Sequence, residues 1–314
     1  MNSFAKRLGS ALIVVWLTVS LAFAAQALLP TDPARAIAGP QARPADVALI
    51  RHQLRLDRPF LAQYSSYLLQ LAKGDLGTSY QRRRPVVAII RRRAPATLML
   101  GLAALVIEIL FGTIAGTVAA VWRKTTIDRA TIAVTLLGVS SPTFVTGLLL
   151  QYWVGFRLRW LPLDSMGESS WELVKSLLLP ATTLGVFGAA FYARIVRDEM
   201  VKILQQPYMR TARAKGLSPA RRVVIHGLRN AAMPLITMFG MDLGTIIGGA
   251  VVTEQVFRWP GLGALAVEAV LARDTPIIMG LVVVSTLSVV TATIVVDLLY
   301  VLLDPTIRRA RVTQ

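Results

Sequence analysis

The chain contains no cysteine, which excludes disulfides and thiolate metal sites. It has only two histidines, His52 and His226, so a histidine metal cluster is not expected. Acidic residues are scarce: 17 Asp and Glu stand against 34 Lys and Arg, a net charge of +17. Charge of both signs reaches only 16%, against roughly 25% in soluble domains. No Gly-Lys dipeptide occurs, which excludes a P-loop of the form GxxxxGK followed by Ser or Thr. If ATP is used, another chain must handle it. What remains is apolar. Hydrophobic residues make up 54% of the 314 positions, and the mean hydropathy is +0.58. Disorder is excluded on that ground. The basic residues lie between apolar blocks and on both sides of them, which argues for membrane loops and against nucleic-acid binding.

A spanning helix needs about 20 mostly apolar residues. Six stretches are expected to span: 8–29, 97–122, 131–154, 177–195, 231–252 and 277–303. The runs are continuous rather than alternating, so helices are favoured over barrel strands. Pro142, Pro180 and Pro234 fall inside three of them and mark expected kinks. The first stretch also has a signal-peptide pattern, with Lys6 and Arg7 before the apolar run and small residues at 22–27. The five further spans favour an uncleaved first helix.

With the N-terminus inside, the basic residues divide 17 to 17 between the two faces. Twelve of the outer set lie in the single long loop 30–96, and loops longer than about 60 residues obey the positive-inside rule poorly. Without that loop the inner face leads 17 to 5, so both termini are placed in the cytoplasm. The expected organisation is a first transmembrane helix (1–29), an outer loop domain (30–96), a five-helix core (97–303) with an inner loop at 196–230, and a tail (304–314). Within the outer domain, 44–56 and 60–71 read as short helices, and Lys73-Gly74-Asp75-Leu76-Gly77 reads as a turn. The Arg82–Arg84 and Arg91–Arg93 runs read as solvated or lipid-facing, with steering of an acidic partner as the minority reading.

The inner loop holds a short helix, 208–215, stopped by Gly216, and Ser218-Pro219 opens the next helix as N-cap and first helical residue. This exposed element either lies on anionic lipid or docks into another protein. Three carboxylates fall inside the expected spans. A charge at mid-bilayer costs about 2.5–3.5 kcal/mol on insertion scales, so each should face protein or water. Asp242 shares a face with Met238, Thr245 and Gly249, opposite the close-packing stripe Gly240, Gly244 and Gly248. That face either lines a translocation path or holds an aspartate hydrogen-bonded between helices. Glu108 lies on a small-residue face with Gly101, Ala104, Gly112, Ala115 and Ala119, which reads as packing. Asp297 lies near the inner end of the last span, where an ion pair with a basic loop residue is expected.

These residues carry a resemblance. Leu56-Asp57-Arg58-Pro59, Gly74-Asp75-Leu76-Gly77, Pro95-Ala96-Thr97-Leu98, Ser141-Pro142-Thr143-Phe144, Leu179-Pro180-Ala181, Arg210–Gly216, Leu228-Arg229-Asn230-Ala231, Val256–Gly263 and Asp297-Leu298-Leu299-Tyr300 recur in that order. In this the chain resembles the permease subunits of ATP-binding-cassette importers of the dipeptide/oligopeptide/nickel group. The resemblance implies an all-α polytopic fold of the type I importer permease kind, with six transmembrane helices and a periplasmic helical cap. It implies that Tyr208, Arg210, Thr211, Ala212, Arg213, Ala214, Lys215 and Gly216 form the helix that couples to an ATPase. Arg210 stands where the wider superfamily has glutamate, as in the peptide branch. Thr293 stands where that branch often has asparagine. Phe257, Trp259, Pro260 and Gly261 would form a periplasmic gate region, with Trp259 at the interface. The implied partners are a second homologous permease, two cytoplasmic ATPases that hold ATP and Mg, an extracytoplasmic binding protein and the lipid bilayer of a bacterial inner membrane. This chain would bind no cofactor and no metal. Its cargo would be di- or oligopeptides, or alternatively nickel or another small solute. A stand-alone secondary transporter would call for internal repeats with matching broken helices, and none is evident. A membrane enzyme would need a nucleophile motif or a histidine–carboxylate cluster, and neither is evident.

Overall fold

The computed structural model describes residues 2–28, 33–39, 41–164, 166–167 and 169–303. Among them the only extended pairing is an isolated bridge between Thr78 and Pro85. Everything else regular is helical. The first 85 residues form α1 (Asn2–Leu28), α2 (Pro33–Ala38), α3 (Pro44–Gln53) and α4 (Phe60–Ala72). Then follow α5 (Val86–Val121), α6 (Thr126–Ser140), α7 (Thr143–Leu150), α8 (Ser170–Leu204) and α9 (Pro207–Ala214). The described residues close with α10 (Pro219–Arg221), α11 (Arg229–Gly249), α12 (Val251–Val256), α13 (Leu262–Leu271) and α14 (Thr275–Leu303). Two π-helical stretches, Gln151–Arg157 and Arg222–Leu228, continue α7 and precede α11.

The six expected spans are realised unevenly. Four described helices are long and apolar enough to cross a membrane: α1, α5, α8 and α14. The third expected span is broken, because α6 and the α7–π segment meet at 103°. Pro142 causes the break: it has no N–H to donate, and it holds Ser141 in an extended conformation (φ −84°, ψ 125°). Pro180 and Pro234, also expected to kink, lie inside continuous helices. The fifth span is divided at Ala250 into α11 and α12. The helix expected to begin at Thr97 begins instead at Val86, so Arg91–Arg93 and Pro95 are helical. The expected tail 304–314 lies outside the described residues, as does the side chain of Asp297.

The chain divides into two compact units, 1–97 with 260–290 and 98–259 with 291–314. In the first, Val19 of α1 is buried with Met279 and Val283 of α14, and Tyr67, Leu68 and Leu71 of α4 pack around them. Phe23 meets Phe60, Tyr64 and Tyr67 at ring-centroid distances of 5.4, 5.5 and 5.6 Å. Asp274, 1% exposed, accepts from the Ser79 hydroxyl at 2.5 Å and from the Tyr80 and Gln81 N–H groups at 3.2 Å each. It thereby ties the 78–85 turn to the start of α14. The arginine runs are not simply solvated as expected: Arg82 and Arg93 both pair with Glu268.

In the second unit α5 and α8 come very close. A Cβ on Gly112 would strike Tyr192 and the Ala189 carbonyl, and one on Gly188 would strike the Glu108 carboxyl. These glycines permit backbone approach where bilayer lipid supplies no hydrophobic drive for association. Glu108 thus sits on a packing face. Below it, Ala120, Val196, Met200, Ile203 and Ala231 form a buried cluster. Arg197 of α8 donates to Asp128 of α6 through Nε at 2.6 Å and Nη2 at 2.9 Å, and the Lys124 N–H donates to the same carboxylate at 2.8 Å.

Candidate functional site

The loop between α8 and α11 is built from local signals. Gln206 is extended, Pro207 is the first residue of α9, and the helix ends at Lys215. Gly216 follows at φ +78°, a left-handed conformation that glycine adopts freely, and its N–H donates to the Arg213 carbonyl at 3.0 Å. Ser218 then caps the next turn, its Oγ accepting from the Arg221 N–H at 3.4 Å. A structured stub results, two turns long and bounded by breaks at both ends.

The stub has two faces. Met209 and Ala212, three residues apart, are buried and hold α9 to the body. Tyr208, Arg210, Thr211, Arg213, Ala214, Lys215 and Gly216 are exposed. The sequence reading grouped Ala212 with the contact residues, but the structure turns it inward as an anchor. Asn230 of α11 donates to the Tyr208 hydroxyl at 3.2 Å and to the His226 carbonyl at 2.7 Å, steadying α9 from the side. Sequence reasoning missed this brace, because nothing in the spacing of Tyr208 and Asn230 shows that a π-helical stretch brings them together. The exposed face carries three cations and no carboxylate, so it is suited to dock into a complementary protein surface.

Asp242 of α11 is half-buried and accepts from the Tyr192 hydroxyl of α8 at 2.6 Å. Met238 is half-buried beside it, and Thr245 is exposed, its hydroxyl donating to the Asp242 carbonyl at 3.1 Å. The surroundings of Gly249 lie outside the described set. Gly240, on the opposite stripe, packs against Val296 of α14. Tyr192 gave no sequence signal of its role; only the approach of α8 to α11 reveals it.

In the turn after α12, Phe257 and Trp259 are 2% and 1% exposed, Gly261 is buried and Pro260 half-buried. Trp259 was expected at the membrane interface; the structure corrects this, because its ring is enclosed by protein. The backbone N–H of Trp259 donates to the Glu254 carbonyl at 2.8 Å, and Phe257 lies against Gly147 of α7. Among the described residues no group of three His, Cys, Asp or Glu could hold a metal.

Comparison with known proteins places these features in a group. A family model described as the binding-protein-dependent transport system inner membrane component matches residues 88–309, and its N-terminal companion matches residues 1–101. The glutathione transport system permease protein GsiC of Escherichia coli (strain K12) is 41% identical over 308 residues, covering 98% of this chain and 99% of that protein. The protein of the same name from Salmonella typhi is 42% identical with the same coverage. Among solved structures, the inward-facing MetNI methionine ABC transporter matches with a TM-score of 0.57 at 18% identity, covering 69% of this chain and 97% of that chain, a likeness of fold.

Proposed function

Because the chain belongs to the binding-protein-dependent transport system inner membrane component family, and so is a permease subunit of an ATP-binding-cassette importer rather than an enzyme, we propose that it forms half of a translocation path for small peptides. Support for the cargo comes from relatives more than 40% identical along their whole length, named for the transport of the tripeptide glutathione. ATPase and binding-protein partners follow from the family. A second, homologous permease would supply the other half of the path, since one α9 provides only one docking point for two ATPases. The proposed orientation places α9 and both termini in the cytoplasm and the 30–85 region outside.

The observation that carries the mechanism is the two-faced α9. Its buried Met209 and Ala212 anchor it, and it lies against the π-helical stretch 222–228, which in turn contacts α8, while its basic face stays exposed. A push delivered to that face when ATP binds would move the helices it is anchored to. Met238, Asp242, Thr245 and Gly249 would line the path, and the turn at Phe257–Gly261 would belong to the outer gate. The exposed Thr245 and half-buried Asp242 support the first assignment. Asp242→Asn in the assembled transporter should change the relative uptake of cationic and neutral peptides; a ratio unchanged from wild type would remove Asp242 from the path.

The coupling reading is tested by co-purification after co-expression with candidate ATPases. Arg210→Glu with Arg213→Glu changes only exposed side chains. It should abolish ATPase association while the permease remains folded. Association and ATP-dependent uptake unchanged in that variant, and also in Gly216→Asp, would sink the assignment.

A further inference from the structure

The first unit contains an open cavity of about 1500 Å³, larger than the roughly 300–1,000 Å³ of ordinary small-ligand sites. It lies among α1, α3, α4, the 76–83 turn and the start of α14. Among the described residues four arginines line it, Arg51, Arg55, Arg83 and Arg273, and no Asp or Glu does. Among the described residues, Arg55, Arg83 and Arg273 have no carboxylate partner. The same three have left-handed backbones, with φ of 56°, 51° and 53°. That conformation costs a side-chain-bearing residue about 1 kcal/mol. Lys124, Arg159 and Arg258, which do not line the cavity, share that conformation.

At the wall of the cavity stands Tyr67. Its hydroxyl is buried and has no hydrogen-bond partner in the protein. Burial pushes its ionisation up to about 12, so it remains a donor at physiological pH. A buried donor without a partner costs about 1–3 kcal/mol. Guanidinium groups with no carboxylate partner among the described residues therefore line one space together with the apolar side chains of Phe23, Leu76 and Met279, while the Tyr67 hydroxyl itself is closed off from it.

We propose that this cavity is a binding site for a small solute bearing at least two carboxylates, an acidic peptide being the class that fits. Carboxylates would take forked hydrogen bonds from Arg83 and Arg273. The apolar wall would cover the peptide backbone. The proposal deepens the importer reading and rests on it for purpose: the cavity would hold cargo after its release by the binding protein.

The test is equilibrium binding to the full chain in neutral-lipid nanodiscs, with no ATPase present. The probes are the tripeptide Glu-Ala-Glu and its uncharged counterpart Gln-Ala-Gln. Arg83→Asn with Arg273→Asn removes charge at positions where asparagine tolerates the left-handed backbone. Losing charge-assisted hydrogen bonds should weaken Glu-Ala-Glu binding by about tenfold or more. Gln-Ala-Gln should bind wild type at least as weakly. Arg91→Gln with Arg92→Gln changes exposed arginines outside the cavity and should leave binding as in wild type. Equal binding of both peptides, or equal loss in the Arg91 and Arg92 variant, would mean diffuse charge attraction and overturn the proposal. No peptide binding, combined with loss of binding-protein association in the Arg83 and Arg273 variant, would overturn it in favour of a protein partner. None of these outcomes bears on ATPase association through α9, so the two readings fail separately.

Discussion

Two buried aspartates, one in each unit, solve the same problem differently. Asp128 is 3% exposed and takes a fork from the Arg197 guanidinium plus one backbone N–H. Asp274 is 1% exposed and takes three bonds, all from neutral groups: Ser79, Tyr80 and Gln81. The difference lies in what happens to the nearby cations. In the second unit the guanidinium is consumed in bracing α6 against α8, beside the helix that continues towards α9. In the first unit Asp274 adjoins Arg273 in sequence but does not engage it. Satisfying a carboxylate with hydroxyl and amide donors leaves neighbouring arginines unneutralised, and those arginines line the cavity. The same excess of positive charge is thus convex and outward at α9 and concave around the cavity.

The comparison predicts unequal costs. Arg197→Ala should cost most, because it leaves a buried carboxylate without its cation. Such losses run about 3–5 kcal/mol, and the 21% exposure of Arg197 argues for the lower end. Thermal unfolding in nanodiscs would show it, and a loss below about 1 kcal/mol would mean that water already compensates Asp128. Asp274→Asn should cost less, about 1–3 kcal/mol, since one carbonyl oxygen still accepts while the new NH2 group confronts existing donors. Hydrogen exchange should show the Tyr80 and Gln81 amides opening first. If Asp274→Asn proves costlier than Arg197→Ala, the neutral-donor arrangement holds its charge more tightly than the ion pair, and the comparison reverses.

The smallest effect concerns Tyr67. Its hydroxyl ionises near 10.0 when unfolded and about 12 in the folded chain, because burial disfavours the phenolate. The folded state therefore prefers the proton. That contribution is complete below pH 10 and is lost as pH rises through about 12. Tyr67→Phe should flatten stability over this window and leave it unchanged, or slightly raised, at neutral pH. An unchanged alkaline slope would show that the hydroxyl is already solvated.

Some of this was legible in the residues. The Gly216 and Ser218-Pro219 signals placed α9 within a residue of its observed bounds, because breaks and caps act through the local backbone. The turn at Gly74–Gly77 was likewise legible, with its N–H at Gly77 meeting Asp75 at 2.8 Å. Pairings between distant segments were not. Nothing in the order of residues joins Ser79 to Asp274, Tyr192 to Asp242 or Arg82 to Glu268. Pro142 was read as a kink and is instead a sharp break, since the bend depends on what each half packs against. Trp259 was read by residue type as interfacial, whereas its position in a packed turn decides its burial.

The sequence by itself determined that this chain is a helical membrane protein with basic loops and without a P-loop of the form GxxxxGK followed by Ser or Thr. Apolar run length, proline, glycine and charge count act over a few residues and can be read in order. The tertiary structure alone decided which cations are consumed and which remain available. Whether an arginine is paired, exposed or turned into a cavity depends on the groups brought within hydrogen-bond reach, and that is a property of packing in three dimensions.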